Sequence, residues 1–242
     1  MVDVKIEPVG DQAILINFGE SIATAINAKV TSFAKEVTSR EKTWVIDLIP
    51  TFTSVLINYD PLAVSYDAMV NFCRDCVVHM KAGSTMKRNI FEIPVIYGGT
   101  YGEDLPFVAE HAGLSIEEVI ATHTGNDYLI YMLGFLPGFA YLGGLDERIV
   151  TPRLKRPRVK IPAGAVGIGG SQTGIYPTVS PGGWQLIGIT PVEVYNPVRT
   201  PAILYEAGDM VRFRSIDLAE FTKIKQAVAD GTYQVTIRSE EL

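Results

Sequence analysis

The 242-residue chain holds 27 acidic against 21 basic residues, a formal net charge of -6, and its pI near 5.2 argues against non-specific binding to nucleic acid or to an anionic membrane. With 47% hydrophobic and 20% charged residues and a mean hydropathy of +0.19, it has the composition of a packed protein with one large or two smaller cores, which excludes a disordered chain. The first residues show no basic run followed by an apolar one, and no apolar run approaches the length of a spanning helix, so a cytoplasmic protein is expected.

Residues 4–9 and 13–18 read as strands joined by the turn formers Gly10 and Asp11. Ile22, Ile26, Val30, Phe33 and Val37 then recur at helical spacing, with Ser21 a candidate cap. Residues 43–49 and 55–59 are short apolar runs broken by Pro50, Thr51 and Phe52, and are expected to pair. Asp60-Pro61 opens a second helix reaching about Lys81. Two helices on about four strands give an α+β unit with a ferredoxin-like outline.

That second helix carries the only two cysteines, Cys73 and Cys76, in a CxxC. Such a pair can serve redox or metal chemistry. Here Met69, Phe72, Cys73, Cys76, Val77 and Met80 share one helical face, which favours two small core residues, and no further Cys or His pair completes a metal set. Residues 81–89 are polar and read as a linker, so the expected domains are 1–85 and 86–242.

Beyond the linker, residues 90–97 return to strand, Asp104 begins a helix through Glu110, and Ser115 with Glu118 forms a capping box for another ending near His123. Residues 128–197 are dense in Gly, Pro and aromatics, the pattern of short strands joined by shaped turns. After them, residues 202–205 and 210–214 read as strands, 217–229 as helix, and 233–238 as a closing strand for either domain.

The candidate chemistry lies in the turn-rich stretch. Residues 162–174, PAGAVGIGGSQTG, could cradle an anion with backbone N–H groups, or form the rim of a barrel. No Lys-Ser/Thr pair follows the glycines and no helix follows GxGxxG, so standard nucleotide loops are excluded. Arg148, Arg153, Lys155, Arg156, Arg158 and Lys160 concentrate positive charge, either as a solvated face or, behind the stiff Pro152 and Pro157, as guanidinium groups set to pair with carboxylate or phosphate. His123 is either stabilised by its helix end or acts as a general acid/base at the mouth of the β domain. Gln172, Thr173 and Tyr176 offer amide and hydroxyl groups that orient a ligand, with no nucleophile elbow nearby. Phe135, Phe139, Tyr141 and Trp184 fill core or line a pocket.

GFLPGFAYLGGLD at 134–146, TPRLKRPRVKIPAGAVGIGGSQTGIYP at 151–177 and SPGGWQLIGITP at 180–191, with IPVIYGGTYGEDL at 93–105 and AGDMVRF at 207–213, resemble the allophanate hydrolase subunit 1 family over nearly the whole chain. The resemblance implies an N-terminal α+β domain followed by a cyclophilin-like β-barrel domain. It also implies membership of a group that includes the B component of ATP-dependent 5-oxoprolinase, inhibitors of sensor histidine kinase autophosphorylation, and a module of urea carboxylase. The implied partners are the A and C components of that oxoprolinase, the latter of the allophanate hydrolase subunit 2 family; a sensor histidine kinase is the rival. ATP enters as co-substrate of the complex. In this reading His123, Gln172 and Tyr176 are the catalytic candidates, Arg153, Arg158 and Lys160 hold carboxylate or phosphate, and Thr173 and Phe139 complete the substrate contacts. A barrel of cyclophilin type does not by itself carry prolyl isomerase activity.

Overall fold

A computed structural model describes residues 4–80 and 87–241, and the chain forms two compact units, 1–86 and 87–242. The first runs β1 (Lys5–Val9), β2 (Ala13–Asn17), α1 (Thr24–Ser39), β3 (Val45–Pro50), β4 (Ser54–Tyr59) and α2 (Tyr66–His79). Its sheet has the order β1-β2-β4-β3, antiparallel throughout. Alternation buries Ile14 and Ile16 of β2 and Val55, Ile57 and Tyr59 of β4, as expected of strands with one covered face. Val30, Phe33 and Val37 of α1 and Met69, Cys73 and Cys76 of α2 complete this core.

Several expected features differ. The elements run ββαββα and not βαββαβ, because β1 enters from the front of the chain, so the ferredoxin-like outline is not met. Ser21 does not cap α1, which starts after Ala23 with no side-chain cap. Asp60-Pro61 is a turn in which Asp60 Oδ1 accepts from the Leu62 N–H at 2.9 Å. The second helix begins five residues later, capped by Ser65. Of the linker reading, residues 81–86 lie outside the described residues and 87–89 belong to the next strand.

The second unit runs β5 (Lys87–Tyr97), α3 (Leu105–Ala112), α4 (Ile116–Thr124), β6 (Asp127–Leu133), β7 (Ala140–Gly143), β8 (Arg158–Ile161), β9 (Ala165–Gly169), β10 (Gln172–Ile175), β11 (Ser180–Gly182), β12 (Gln185–Ile189), β13 (Met210–Ser215), α5 (Leu218–Ala229) and β14 (Thr236–Glu241). Seven of these strands close a barrel in the order β5, β13, β6, β7, β10, β9, β12 and back to β5. The long β5 makes closure possible. On one edge it pairs in parallel with β13; on the other it pairs first with β14 and then, through Ile96 and Tyr97, with β12. Residues 202–205 form no strand, only a bridge between Tyr195 and Ile203.

Ile93, Val95, Ile130, Leu142, Val166, Ile168, Ile175, Ile187, Val211 and Phe213 fill the barrel, with Leu105, Val108 and Val119 from α3 and α4 in the same cluster. The expected capping box on α4 is present in both directions, Glu118 N–H to Ser115 Oγ and Ser115 N–H to Glu118 Oε2. Strands β8 and β11 stay out of the barrel and pair with each other as a separate ribbon. Among the described residues no helix is long and apolar enough to cross a membrane.

Cys73 and Cys76 are fully buried, and burial pushes their thiols up to about 12 and about 11. The folded protein is therefore expected to resist a disulfide-exchange thiol reagent at about pH 8, while the denatured chain releases the full signal of both thiols. Fast labelling of the native state would refute the core assignment.

Candidate functional site

The barrel wall built by β7, β10, β9 and β12 has a core on each side. Because side chains alternate across a strand, Ala140 and Leu142 of β7, Thr173 and Ile175 of β10, and Val166 and Ile168 of β9 face the barrel interior, where all but Thr173 belong to the apolar cluster. Their neighbours face out. Phe139, Ala165, Tyr176, Trp184 and Leu186, with Ile161 from the ribbon, form a second buried cluster between wall and ribbon.

Trp184 is the centre of that outer cluster and only 5% exposed. It lies on glycine: a Cβ on Gly169 would overlap Cδ1 and Nε1 of the indole, one on Gly174 would stand 3.1 Å from Cζ3, and one on Gly167 3.2 Å from the Trp184 Cβ. This accounts for the glycines of 162–174 that suggested an anion cradle. They are mostly strand residues, bare on the outer face so that an indole can lie flat against the wall. Phe139 meets Trp184 edge-on at 5.6 Å and Tyr176 at 5.8 Å, and Tyr176 meets Trp184 at 6.1 Å, the T-shaped arrangement that aromatic quadrupoles favour.

Above these rings a recess of about 450 Å³, counted to its open mouth, is lined by Phe135, Phe139, Tyr141, Arg153, Tyr176, Gly182, Gly183 and Trp184. The charge among these lining residues is Arg153, whose guanidinium carbon sits 5.9 Å from the Trp184 ring centre. The backbone around it is pinned: Gln185 Nε2 donates to the Pro152 carbonyl at 2.8 Å, and the Leu154 N–H to the Gly183 carbonyl at 2.7 Å. On the rim, Phe135 adopts φ of +66° while 65% exposed. A left-handed, exposed aromatic is strained with little burial in return, a combination that occurs at ligand sites. Burial raises the Tyr176 phenol, against the lowering effects of its Trp184 backbone hydrogen bond and of Arg153 and Arg158.

The residues singled out in the sequence divide between the two faces of this wall. Phe139, Tyr176 and Arg153 come together in the recess. Gln172 stands half-buried at the start of β10, and Lys160 is exposed on the ribbon. Arg158 is engaged elsewhere, by Asp104 at 2.8 Å and Glu103 at 2.9 Å, with a longer donation to the Trp184 carbonyl at 3.4 Å. Burial alone would lower its guanidinium, but hydrogen bonding and charge from Asp104 outweigh this and leave it raised.

His123 is not at a mouth. It is fully buried and stacked on Phe213 at 4.5 Å. Thr173 spends its hydroxyl hydrogen on the Gly167 carbonyl at 3.0 Å, so at 2.8 Å it accepts from His123 Nε2–H. Nδ1 is then the acceptor of the Tyr97 hydroxyl, also at 2.8 Å. Both nitrogens of a neutral imidazole are thereby satisfied, and burial pushes its pKa down to about 3. Thr173 and His123 thus brace β10 from inside, on the face opposite Tyr176.

Two residues that shape the site, Asp104 and Gln185, were not singled out. Asp104 reads locally as a helix start, and Gln185 follows the most conspicuous aromatic of its segment. Their partners, Leu186, Arg158 and Pro152, are 82, 54 and 33 positions away in sequence, so no local pattern announces them.

Fold and recess together define a closed β-barrel module with an aromatic-lined recess on its outer wall. The chain belongs to the family described as carboxyltransferase domain, subdomain C and D, which it matches over residues 4–205. It is 41% identical over 235 residues to the 5-oxoprolinase B subunit of Bacillus subtilis (strain 168), covering 93% of this chain and 98% of that one. Against the 5-oxoprolinase B subunit of Escherichia coli O157:H7 it is 38% identical, covering 85% and 93%. The Kluyveromyces lactis urea carboxylase structure superposes with a TM-score of 0.81 over 99% of this chain at 20% identity, a likeness of fold in which this chain spans 24% of the other.

Two outcomes follow from the geometry. Gly169→Ala must displace Trp184, so the variant should show red-shifted, more quenchable indole emission and lose about 1–3 kcal/mol of stability; an unchanged spectrum would refute the glycine bed. For His123, the folded pKa lies below the ordinary 6.5, so the folded state binds fewer protons than the unfolded one. Its contribution is intact above about pH 6.5 and declines by about 1.4 kcal/mol per unit as the pH falls toward the folded value. Denaturation between about pH 7 and pH 5 should show that slope in the wild type and its loss in His123→Gln.

Proposed function

We propose that this chain is the B component of an ATP-dependent 5-oxoprolinase, which opens 5-oxo-L-proline to L-glutamate together with its A and C components. The observation that carries the reading is the end-to-end match to relatives of that name, at 41% identity over 98% of the Bacillus subtilis protein. The recess supports it chemically. 5-Oxoproline is a small flat lactam with one carboxylate, and Phe139, Tyr176 and Trp184 supply ring faces and edges beside a single guanidinium.

In this reading Arg153 leaves the Trp184 face to pair with the substrate carboxylate, and the lactam ring takes its place against the aromatics. The Tyr176 hydroxyl and Gln172 orient the amide, Phe139 closes the far side, and Lys160 extends the positive rim. Thr173 and His123 hold β10 in register from within. The lactam must be activated, since an amide is a poor electrophile. Its oxygen attacks the γ-phosphorus of ATP and ADP departs. Water adds to the ring carbon, the C–N bond breaks to give the free amine and an acyl phosphate, and a second water releases phosphate and glutamate. The residues lining the recess include no phosphate loop and no carboxylate pair, so its part is to bind and orient the lactam, with ATP a co-substrate of the assembled complex. We assign the barrel to the cyclophilin-like kind on the same motif resemblance, and the protein to the cytoplasm.

The test is glutamate release from 5-oxoproline and ATP by this chain purified with the two partner proteins, each omitted in turn. Turnover should require this chain. Arg153→Ala should raise KM for 5-oxoproline about 10- to 100-fold, the loss of one charge-assisted hydrogen bond, with Arg153→Lys between. Absence of turnover with all three proteins folded would overturn the assignment.

A further inference from the structure

We propose that Asp104 and Arg158 act as a positioning pair that fixes the β8–β11 ribbon over Trp184 and so sets the width of the recess, an inference that rests on the recess being the lactam site. The ribbon needs such a device. It has two strands, pairs with no other strand among the described residues, and exposes Val159 at 90%, and a lone two-stranded ribbon is marginal in water. Yet it carries Gly182, which with the following Gly183 forms one wall of the recess.

The clamp crosses from ribbon to barrel at Arg158, opposite Gly182 in the ribbon register. Its Nη2 meets Asp104 Oδ1 at 2.8 Å and Glu103 Oε1 at 2.9 Å, while Nη1 reaches toward the Trp184 carbonyl at 3.4 Å. The second Asp104 oxygen accepts the Leu186 N–H at 2.6 Å, and the Asp104 N–H returns to the Leu186 carbonyl at 3.0 Å. One carboxylate thereby joins the ribbon to β12 on the far side of Trp184.

The use made of Asp104 separates this from an ordinary surface pair. It occupies the N-cap position of α3 and does not cap it, whereas Ser65, Ser115 and Asp217 all cap their helices with side-chain acceptors. An aspartate at this position normally serves the helix; here it gives up that bond for the ribbon. The Asp104 side chain is 13% exposed and that of Arg158 23%, so solvent screens the pair little. Only a forked guanidinium can address two carboxylates and a carbonyl at once, so lysine is not an equivalent.

The experiment compares Asp104→Asn, Arg158→Lys and the double variant in the three-protein enzyme, and in the isolated chain on a Trp44→Phe background, which leaves Trp184 as the sole indole of the two in the sequence. Each single variant should raise KM for 5-oxoproline about tenfold with kcat within about twofold, and the double should be no worse than the poorer single, the signature of groups acting as a unit. Trp184 emission should shift to the red in all three. Glu103→Gln, which leaves the Asp104 bonds in place, should move both readouts the same way by less, and serves if the others fail to fold. Unchanged KM and emission, or a fall in kcat at constant KM, would overturn the proposal. If the wild-type complex does not turn over 5-oxoproline, the functional assignment fails, while the emission of Trp184 still decides whether the clamp positions the wall.

Discussion

Trp184 can lie against the barrel only because the wall beneath it has no side chains where the indole rests. A Cβ on Gly169 would occupy the same space as the ring, and Gly167 and Gly174 leave hardly more room. Glycine in a strand costs roughly 0.5–1 kcal/mol relative to alanine, and three of them weaken the wall. Burying an indole returns more: about 200 Å² of mostly apolar surface at about 25 cal/mol per Å² is worth about 5 kcal/mol. The exchange is favourable only if something holds the indole down, and the ribbon and Phe139 do so.

From that constraint the rest of the site follows. A wall buried on both faces reads as continuous apolar and small residues, and β9 (AVGIG) is buried at every position. Its two faces then take separate tasks. The inner face is closed by the chain Tyr97, His123, Thr173, Gly167, in which both hydroxyl hydrogens and both imidazole nitrogens are used. The outer face keeps open space and one cation. A titratable group buried with both nitrogens satisfied is poorly suited to move protons, whereas it is well suited to hold a strand in register.

How much of this the sequence discloses depends on how far apart the interacting residues are. Helical spacing located the apolar faces of α1 and α2, and Ser115 with Glu118 marked the start of α4, because those interactions span three or four residues. The glycine- and aromatic-rich stretch identified the region of the recess, and Phe139, Arg153 and Tyr176 within it. The face each residue occupies was hidden. Thr173 and Tyr176 are three residues apart, and only the strand pairing of β10 reveals that one points into the barrel and the other out. Ser21 and Asp60-Pro61 misled for the opposite reason: each is a plausible local signal, outweighed by packing that begins the helices at Thr24 and Tyr66.

Arg153 and Arg158 show how distant partners divide roles between like sequences. Both follow a proline, both sit in the same basic run, and the chain around each is stiff. Arg158 meets two carboxylates close to the barrel, where partial burial makes charge-assisted bonds strong and slow to exchange. Arg153 rests on the face of an indole, an interaction worth only about 0.5–1 kcal/mol at an exposed position. A ligand carboxylate offers about 1.5–3 kcal/mol for hydrogen bonding to the same guanidinium. On the proposed function, the weakly held arginine is therefore the one a substrate carboxylate would recruit, while the strongly held one would keep the wall in place.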